Sequence, residues 1–318
     1  MRFVIVIGTP WRSGGNYVLY HADKALTSLG QEVSYLMIDA PAQLFWSREY
    51  PTTKIISESD VRKDDVLIVP EEFLFMVAQL ANRTTNYVVI NQGFFATYNS
   101  EFGRKNNYFT VNQIYKNALA VLCNSEHTEI SVKNWLEVPQ EKLLRYVVHI
   151  EDYFKPGIKK NKITYMSRKN FQFCMFVINY LEGRYQNWEF EDIKGATKEE
   201  VAHSMSTSKI FLAFGGPEGL GSPPIEAALS GNKVIGFDGY GGKEYFNEPI
   251  FTEVPYGNHY AYLLKTTEQL PLWENRSILD DEACVRQMDE IRKYYSEENT
   301  INSFRELIRR IDGKIYKH

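Results

Sequence analysis

Short, continuous apolar runs alternate with helical patterns along this chain, and this alternation limits the fold more than any other feature. Such runs are typical of strands that are buried on both faces of a parallel sheet. In the first half we predict strands at residues 3–8, 32–38, 65–70, 87–91, 119–123 and 143–150. Helical patterns lie between them, as at residues 17–29, 71–80 and 126–136. Repeated strand–helix units predict an α/β fold with helices on both faces of the sheet.

The alternation stops and then starts again in the second half. Residues 155–162 are basic and rich in turn-forming residues, which indicates a linker. Beyond it we predict strands at residues 163–166, 209–214 and 233–237, and helices at residues 171–180, 197–207 and 224–229. Thr197 and Glu200 stand at the N-cap and capping-box positions of one of these helices. Helical patterns dominate from residue 259 to residue 311.

The length supports two domains, since 318 residues is about twice the usual single-domain size. We expect an N-terminal Rossmann-like domain at residues 1–155 and a second one at residues 156–300. Residues 301–318 are expected to form a C-terminal helix that packs back toward the N-terminal domain. Because open parallel sheets bind ligands beyond the carboxyl ends of their strands, we expect the two sheets to face a central cleft.

The charge balance and the cysteines exclude several classes of protein. With 36 Lys and Arg against 40 Asp and Glu, the formal net charge is −4, which argues against a nucleic-acid binder. Cys123, Cys174 and Cys284 lie far apart without a C-x-x-C motif, so we expect buried, reduced thiols and no zinc site. No apolar stretch approaches the length of a membrane span. We expect a cytoplasmic protein, and peripheral association with the inner face of a membrane stays compatible with this sequence.

Residues 214–226, FGGPEGLGSPPIE, form the most informative segment. It is predicted to run from a strand end through a glycine-rich loop into a helix, where unpaired N–H groups form an anion site. Gly219 and Gly221 let a ligand approach the backbone closely. Two carboxylates, Glu218 and Glu226, bracket the loop and can accept hydrogen bonds from hydroxyl groups. Backbone N–H groups that can bind phosphate lie beside carboxylates that can bind hydroxyl groups. This combination predicts a sugar-nucleotide pocket.

The E-x7-E spacing of Glu218 and Glu226 in EGLGSPPIE, with the AALSG that follows, resembles the donor signature of retaining GT-B glycosyltransferases of the large family 4 type. The resemblance implies that Glu218 contacts the hydroxyls of the donor sugar and that Glu226 contacts those of the ribose. It also places Gly219, Leu220 and Gly221 against the donor.

Further segments resemble the same family in chain order. Gly14 and Gly15, before the first predicted helix, resemble its N-terminal glycine loop, which lies against the donor. Arg168 and Lys169 follow a predicted strand and resemble the cation pair that grips the donor diphosphate. The forms YMSRK and GYGGKEYF resemble a bacterial subgroup linked to surface polysaccharides.

The resemblance implies a hexosyltransferase-type enzyme that moves a sugar from a nucleotide-sugar donor to a glycan, lipid-linked or other acceptor with retention of anomeric configuration. Neither a cofactor nor a metal ion is expected. No D-x-D triplet, the metal–diphosphate clamp of the other large glycosyltransferase fold, occurs in the chain. Arg168, Lys169 and helix N-termini are expected to stabilise the charge of the leaving group. The resemblance implies that the departing phosphate itself takes the acceptor proton.

The acceptor side is less well marked. Many members of the family have a histidine after the strand that ends here at Asn91, and this chain has Asn91-Gln92-Gly93 instead. We take Asn91, Gln92 and Phe94 as acceptor-side candidates, together with His149 at a strand end. The ribose of UDP, GDP or ADP and the deoxyribose of dTDP all suit Glu226, so the nucleotide stays open.

Two other functions fit parts of the sequence. One is a GT-B-like module that binds a glycan or a partner without turnover. The other is a nicotinamide-dependent oxidoreductase, which the first strand, the glycines and the first helix suggest. The loop GTPWRSGG differs from the G-x-G-x-x-G fingerprint, which argues against the second alternative.

Overall fold

A computed structural model of the chain describes residues 1–9, 13–38 and 54–315. The chain divides into two compact units, unit 1 (Met1–His149 with Ser296–His318) and unit 2 (Ile150–Tyr295). The first division thus falls before the linker predicted at residues 155–162. The reason is that Phe154 is buried in unit 2 and its carbonyl accepts a hydrogen bond of 2.6 Å from Arg292.

Unit 1 is built on a seven-stranded sheet whose strands are all parallel. In chain order the strands are β1 (Arg2–Ile7), β2 (Glu32–Met37), β3 (Lys54–Ile56), β4 (Val66–Pro70), β5 (Tyr87–Asn91), β6 (Ala120–Cys123) and β7 (Leu143–Arg145). Their spatial order is β3-β2-β1-β4-β5-β6-β7. Every residue of β1 and of β4 is buried, which explains their continuous apolar runs.

Seven helices belong to the described part of unit 1: α1 (Gly14–Ser28), α2 (Phe75–Gln79), α3 (Phe94–Asn99), α4 (Glu101–Lys105), α5 (Tyr108–Asn117), α6 (Glu126–Trp135) and α12 (Glu297–Ile315). A 3₁₀ turn at Glu71–Phe73 follows β4. Although α12 follows unit 2 in the chain, it packs against α1, β6 and β7 of unit 1. Thr300 donates to the carbonyl of Val147 at 2.9 Å, and Arg310 donates to that of Leu143 at 2.7 Å.

Unit 2 repeats the same principle with five parallel strands. They are β8 (Lys160–Tyr165), β9 (Glu189–Asp192), β10 (Ser208–Ala213), β11 (Lys233–Gly236) and β12 (Phe251–Glu253), in the order β12-β11-β10-β8-β9. The helices are α7 (Phe171–Arg184), α8 (Lys198–Thr207), α9 (Ser222–Leu229), α10 (His259–Trp273) and α11 (Glu282–Tyr294). α8 begins with the predicted capping box, because the Thr197 hydroxyl accepts from the N–H of Glu200 and the Glu200 carboxylate accepts from the N–H of Thr197.

Each sheet has one point where the strand order reverses direction. In unit 1 the chain builds β2 and β3 on one side of β1 and β4 on the other. In unit 2 it builds β9 on one side of β8 and β10 on the other. Ligands of open parallel sheets bind outside the carboxyl ends of the strands at such switch points. The fold therefore directs attention to the loops after β1 and β4, and to those after β8 and β10.

The predicted α/β class with two Rossmann-like parallel sheets is confirmed. Three of the four edge strands, β3, β9 and β12, were missed, whereas the fourth, β7, lies within the strand predicted at residues 143–150. The sequence of β9 is Glu-Phe-Glu-Asp, and none of its residues is fully buried. It therefore has no apolar run from which a strand could be predicted. The three cysteines are buried and free, as expected. Residues 10–12 of the predicted glycine loop lie outside the described residues.

Candidate functional site

The loops that follow β8 and β10 bring the predicted catalytic residues of unit 2 together. Lys169, after β8, donates from Nζ to Oε1 of Glu218, after β10, at 2.5 Å. The Lys169 side chain is 47% exposed and that of Glu218 is 21% exposed. A Cβ on Gly215 would lie 3.1 Å from the Glu218 carboxylate, so glycine gives this side chain its room. Arg168 is exposed and forms no hydrogen bond or ion pair within the described ranges.

A second glycine-rich loop, at residues 238–245, packs directly on the loop that carries Glu218. The N–H of Glu218 donates to the carbonyl of Gly239 at 2.9 Å. A Cβ on Gly241 would lie only 1.7 Å from the carbonyl oxygen of Gly219, so only glycine fits there. The Tyr245 hydroxyl donates to the Gly221 carbonyl at 2.6 Å. These contacts hold Gly219, Leu220 and Gly221 in one conformation.

Tyr240 is the apex of a tight turn in this second loop. Its φ is 66° and its ψ is −50°, and the N–H of Gly241 donates to the carbonyl of Gly239 at 2.9 Å. This is a classic-hand γ-turn, which is rare and strained for a residue with a Cβ. Conformations of this kind cost on the order of 1–3 kcal/mol. Tyr240 also pairs with Glu218 in an isolated parallel β-bridge.

Glu226, the second acid of the motif, lies in α9 and its side chain is only 3% exposed. It forms an ion pair with Lys198 at the start of α8. The ammonium group of Lys198 lies 5.4 Å from the centre of the Phe154 ring. A buried carboxylate needs such a partner, because the desolvation of an unpaired charge is costly. The other oxygen of Glu226, Oε2, accepts no hydrogen bond from the described residues and is available to a hydroxyl group.

The helix N-termini at this edge differ in what they offer an anion. α9 begins after Gly221, which is left-handed at φ 74°, and carries Pro223 and Pro224 in its first turn. Proline has no N–H group, so two of the donors expected at this N-terminus are missing. α7 begins after Asn170, which is left-handed at φ 55°, and no side chain caps its first turn. The N-terminus of α7, beside Lys169, therefore retains more donors for a phosphate group than that of α9.

Gly14 and Gly15 form the first turn of α1 in unit 1, after β1. Among the described residues, a Cβ on Gly14 would meet no atom within 4 Å, and one on Gly15 would meet only the flexible end of Gln92, at 3.2 Å. Packing therefore does not require glycine at either position. Gln92 donates from Nε2 to the carbonyl of Gly15 at 3.3 Å, and Asn124 donates to the carbonyl of Gln92 at 2.8 Å. The ends of β1, β5 and β6 thus meet around Gln92.

Asn91 has a different position from Gln92. Its side chain is fully buried, and its amide donates to the hydroxyls of Thr97 at 3.0 Å and Tyr115 at 2.6 Å. Its side-chain oxygen accepts from the N–H of Gly93 at 3.1 Å. All its polar groups are used inside unit 1, so Asn91 shapes the turn after β5, and the half-buried Gln92 is the side chain presented there.

Phe94 and His149 have different neighbours in unit 1. The partly buried ring of Phe94 packs against the core, with its centre 6.1 Å from that of Tyr98. His149 is buried, and its ring contacts that of His21 edge-on with centres 5.0 Å apart. Both histidines lie close enough to Glu297 to lower its pKa, after the larger effect of the hydrogen bond from Lys24.

Glu71 is a buried acid at the switch point of unit 1 that our sequence analysis missed. It follows β4 directly, and burial raises its pKa to about 8, although the backbone N–H groups of Gln92 and Gly93 favour the ionised form. Lys198 and Tyr240 were missed as well. Glu71 and Lys198 belong to no motif that we recognised, and Tyr240 lies in the segment GYGGKEYF, to which we gave no role in the site. Only the neighbours that the fold supplies make the three noticeable.

Two searches of the described residues gave negative findings. Over residues 1–9, 13–38 and 54–315, no three His, Cys, Asp or Glu side chains are grouped so that they could hold a metal ion. Among the helices in those same ranges, none combines the length and the apolar character needed to cross a membrane.

Comparison with known proteins places the fold. No known family model matches the chain. A curated alpha-1,6-glucosyltransferase of Actinobacillus pleuropneumoniae serotype 7 is 27% identical over 241 residues, which cover 72% of this chain and 70% of that protein.

Solved structures match almost the whole chain. Sucrose-phosphate synthase of Thermosynechococcus elongatus has a TM-score of 0.71 at 14% identity, with 98% of this chain and 99% of that one covered. A TarM variant of S. aureus, in complex with fondaparinux, alpha-GlcNAc-glycerol and UDP, has a TM-score of 0.75 at 8% identity, covering 96% and 99%. HepE of Anabaena, in complex with UDP and glucose, has a TM-score of 0.71 at 10% identity, covering 97% and 99%. The two-unit α/β architecture of this chain is therefore the GT-B fold.

Proposed function

We propose that this protein is a glycosyltransferase that transfers a sugar from a nucleotide-sugar donor to an acceptor with retention of anomeric configuration. One observation carries the proposal. At the switch point of unit 2, the two acids of the E-x7-E spacing lie beside cations and a helix N-terminus. Carboxylates for hydroxyls and positive groups for phosphates are the complement of a nucleotide sugar. Similarity to a curated glucosyltransferase and the GT-B fold support the same activity.

In this proposal each side chain of unit 2 has a separate task. Glu218 accepts hydrogen bonds from hydroxyls of the transferred sugar. Glu226, held by Lys198, accepts them from the ribose through Oε2. Lys169 and Arg168 bind the diphosphate together with the N–H groups at the start of α7. When the diphosphate binds, Lys169 breaks its ion pair with Glu218. Its ammonium group then pairs with the phosphates, and the Glu218 carboxylate becomes available to the hydroxyls of the sugar.

The chemistry of transfer is electrostatic in this proposal. Negative charge develops on the diphosphate as the bond to the sugar breaks, and preorganised cations stabilise that charge most effectively in a dry site. The departing phosphate takes the acceptor proton on the same face of the sugar. We propose that Arg168 and Lys169 meet this charge without a divalent ion, in agreement with the lack of a D-x-D triplet.

The first donor to test is UDP-glucose. The TarM and HepE structures hold UDP, and the curated relative is a glucosyltransferase. We propose a glycan or a lipid-linked sugar as the acceptor, in the synthesis of a surface polysaccharide or another glycoconjugate. Gln92 and Phe94 contribute to the acceptor side in unit 1.

The test is turnover of nucleotide sugars by the purified chain and by Glu218→Gln, with products and anomeric configuration read by NMR. The wild type is expected to release UDP and to form an α-linked product from an α-linked donor, with or without EDTA. Glu218→Gln is expected to lower kcat/KM by about 100-fold. Glu199→Gln, at an exposed position in the first turn of α8, is the matched control and is expected to be fully active.

Three results would contradict the proposal in different ways. An inverted product would exclude retention, and a loss of activity in EDTA would exclude metal-independent transfer. Tight binding of UDP-glucose without turnover of any donor would favour a binding module that has lost catalysis.

A further inference from the structure

Tyr240 occupies a backbone position that glycine would occupy at a lower cost. Its φ of 66° lies in the region that residues with a Cβ avoid, and three of its close neighbours, Gly239, Gly241 and Gly242, are glycines. The fold thus uses glycine throughout this turn except at its apex. Local backbone preference does not explain a tyrosine there.

Core packing does not explain it either. The residue is 45% exposed, whereas the tyrosines that stabilise this unit, Tyr245 and Tyr262, are buried with hydroxyls that donate to backbone carbonyls. A half-exposed aromatic ring at a strained position suggests that the side chain is kept for what it presents at the surface.

The bridge between Tyr240 and Glu218 places the two loops side by side, because the backbones of these two residues are directly paired. The ring of Tyr256, which is 44% exposed, has its centre 6.1 Å from that of Tyr240. The Tyr256 hydroxyl donates to Asn170 Oδ1 at 3.2 Å and is thereby fixed to the start of α7.

A carboxylate and exposed aromatic residues carried by directly paired loops match the chemistry of a sugar. A pyranose ring carries hydroxyls around its rim and C–H groups on its faces, so a carboxylate binds the rim and an aromatic face covers the C–H groups. We propose that Tyr240 is the stacking platform for the sugar ring of the donor, and that with Glu218 it determines which sugar is accepted. This inference rests on the function proposed above.

The test separates sugar contact from structural support. Tyr240→Gly removes the ring and also relieves the backbone, so the melting temperature is expected to rise by about 1–4 °C. Affinity for UDP-glucose is expected to fall by about 3- to 10-fold, and affinity for UDP to stay unchanged, both by calorimetry. Tyr240→Phe keeps the ring and is expected to match the wild type in both affinities.

A control variant and the pattern of affinities distinguish a sugar contact from other roles of Tyr240. Tyr260→Ala replaces another tyrosine, 71% exposed in the first turn of α10, and is expected to change neither affinity. If Tyr240→Gly lowers the melting temperature, the residue supports the fold and the inference is wrong. Equal losses for UDP and UDP-glucose would place the ring on the nucleotide and also overturn it. If the wild type binds neither compound, the proposed function fails first, whereas an active wild type with an unaffected glycine variant rejects only the role of Tyr240.

Discussion

The two acids of the glycine-rich segment both pair with lysine, yet the pairs differ in how firmly they are held. Glu218 and Lys169 are partly exposed, and exposed ion pairs contribute only about 0–1 kcal/mol. Glu226 is buried, and removal of Lys198 would leave an uncompensated charge. The first pair can therefore open for a ligand at little cost, whereas the second is a fixed part of unit 2.

Glu71 makes the free energy of unfolding of unit 1 depend on pH. Its pKa is about 8 in the folded chain, against 4.5 for an ordinary glutamate. Between these values the native state holds a proton that the unfolded chain has released, so the free energy of unfolding falls as the pH rises from about 4.5 to about 8. Burial is the main reason that the pKa values of Tyr115, Tyr146 and Cys123 are raised, and the nearby Glu71 raises them further.

Glu71→Gln is expected to flatten this dependence, since glutamine resembles the protonated acid. At pH 8 the variant should be more stable than the wild type by the order of a few kcal/mol. Denaturant unfolding of unit 1, followed by hydrogen exchange from pH 5 to pH 8, measures the effect. Glu141→Gln, at an exposed position of unit 1 that does not shift the pKa of Glu71, is the control and should keep the slope of the wild type. An unchanged slope in Glu71→Gln would show that Glu71 is ionised in the fold.

Residue-level prediction from the sequence depended on local motifs. Glu218, Glu226 and the cation pair were recognisable because spacing along the chain identifies them. Lys198 and Tyr240 gain meaning only from partners that are distant in sequence. Asn91 and Gln92 are adjacent and read alike in the sequence, but the strand that ends there turns one side chain inward and leaves the other half-buried at the strand ends.

At the scale of elements, the parallel strands were predicted well because burial on both faces leaves an uninterrupted apolar run. Short edge strands such as β9 have no such run, and the helices α3, α4 and α5 were also not predicted individually. The first turns of the helices are more informative about function than the strands are, because their N–H groups can bind a ligand. The prolines of α9 remove two N–H donors, and the Ser13 hydroxyl accepts from one donor of α1, whereas no side chain caps the first turn of α7.

The first turn of α1 offers a direct test of ligand approach. Gly14 has open space around it, so Gly14→Ala should fold normally and stabilise the helix by up to about 1 kcal/mol. If the donor lies against this turn, the added methyl group should lower kcat/KM by about tenfold or more. Gly183→Ala, also in a helix with nothing within 4 Å, should be stable and fully active. Full activity of Gly14→Ala would show that the donor does not contact α1.

For the whole molecule, the two units have separate sheets and separate cores, and the chain enters unit 2 and leaves it at neighbouring points. The N–H of Ile150 donates to the carbonyl of Tyr295 at 3.0 Å. Unit 1 is thus completed by a helix that the chain supplies after unit 2. The stability of unit 1 should depend on α12, and that of unit 2 should not.

Phe304→Ala tests this dependence. Phe304 is buried in α12, with its ring centre 6.4 Å from that of Tyr146. Its loss should destabilise unit 1 by about 3–5 kcal/mol, the usual cost of removing a buried phenylalanine ring. Hydrogen exchange should show lost protection in residues 1–149 and 296–315 only, with Arg305→Ala at an exposed position of α12 unaffected. Equal loss of protection in residues 150–295 would show that the two units unfold together.

The late position of α12 in the chain also has a consequence for synthesis on the ribosome. A growing chain emerges from its N-terminus, so residues 1–149 of unit 1 can begin to fold before residues 296–315 have been made. Until then the surface of α1 that α12 covers is open to water, together with its apolar side chains. Synthesis of unit 2 starts after that of residues 1–149 but is complete before residues 296–315 are made. Unit 2 can therefore finish folding before unit 1. Unit 1 needs protection from aggregation while unit 2 is being synthesised.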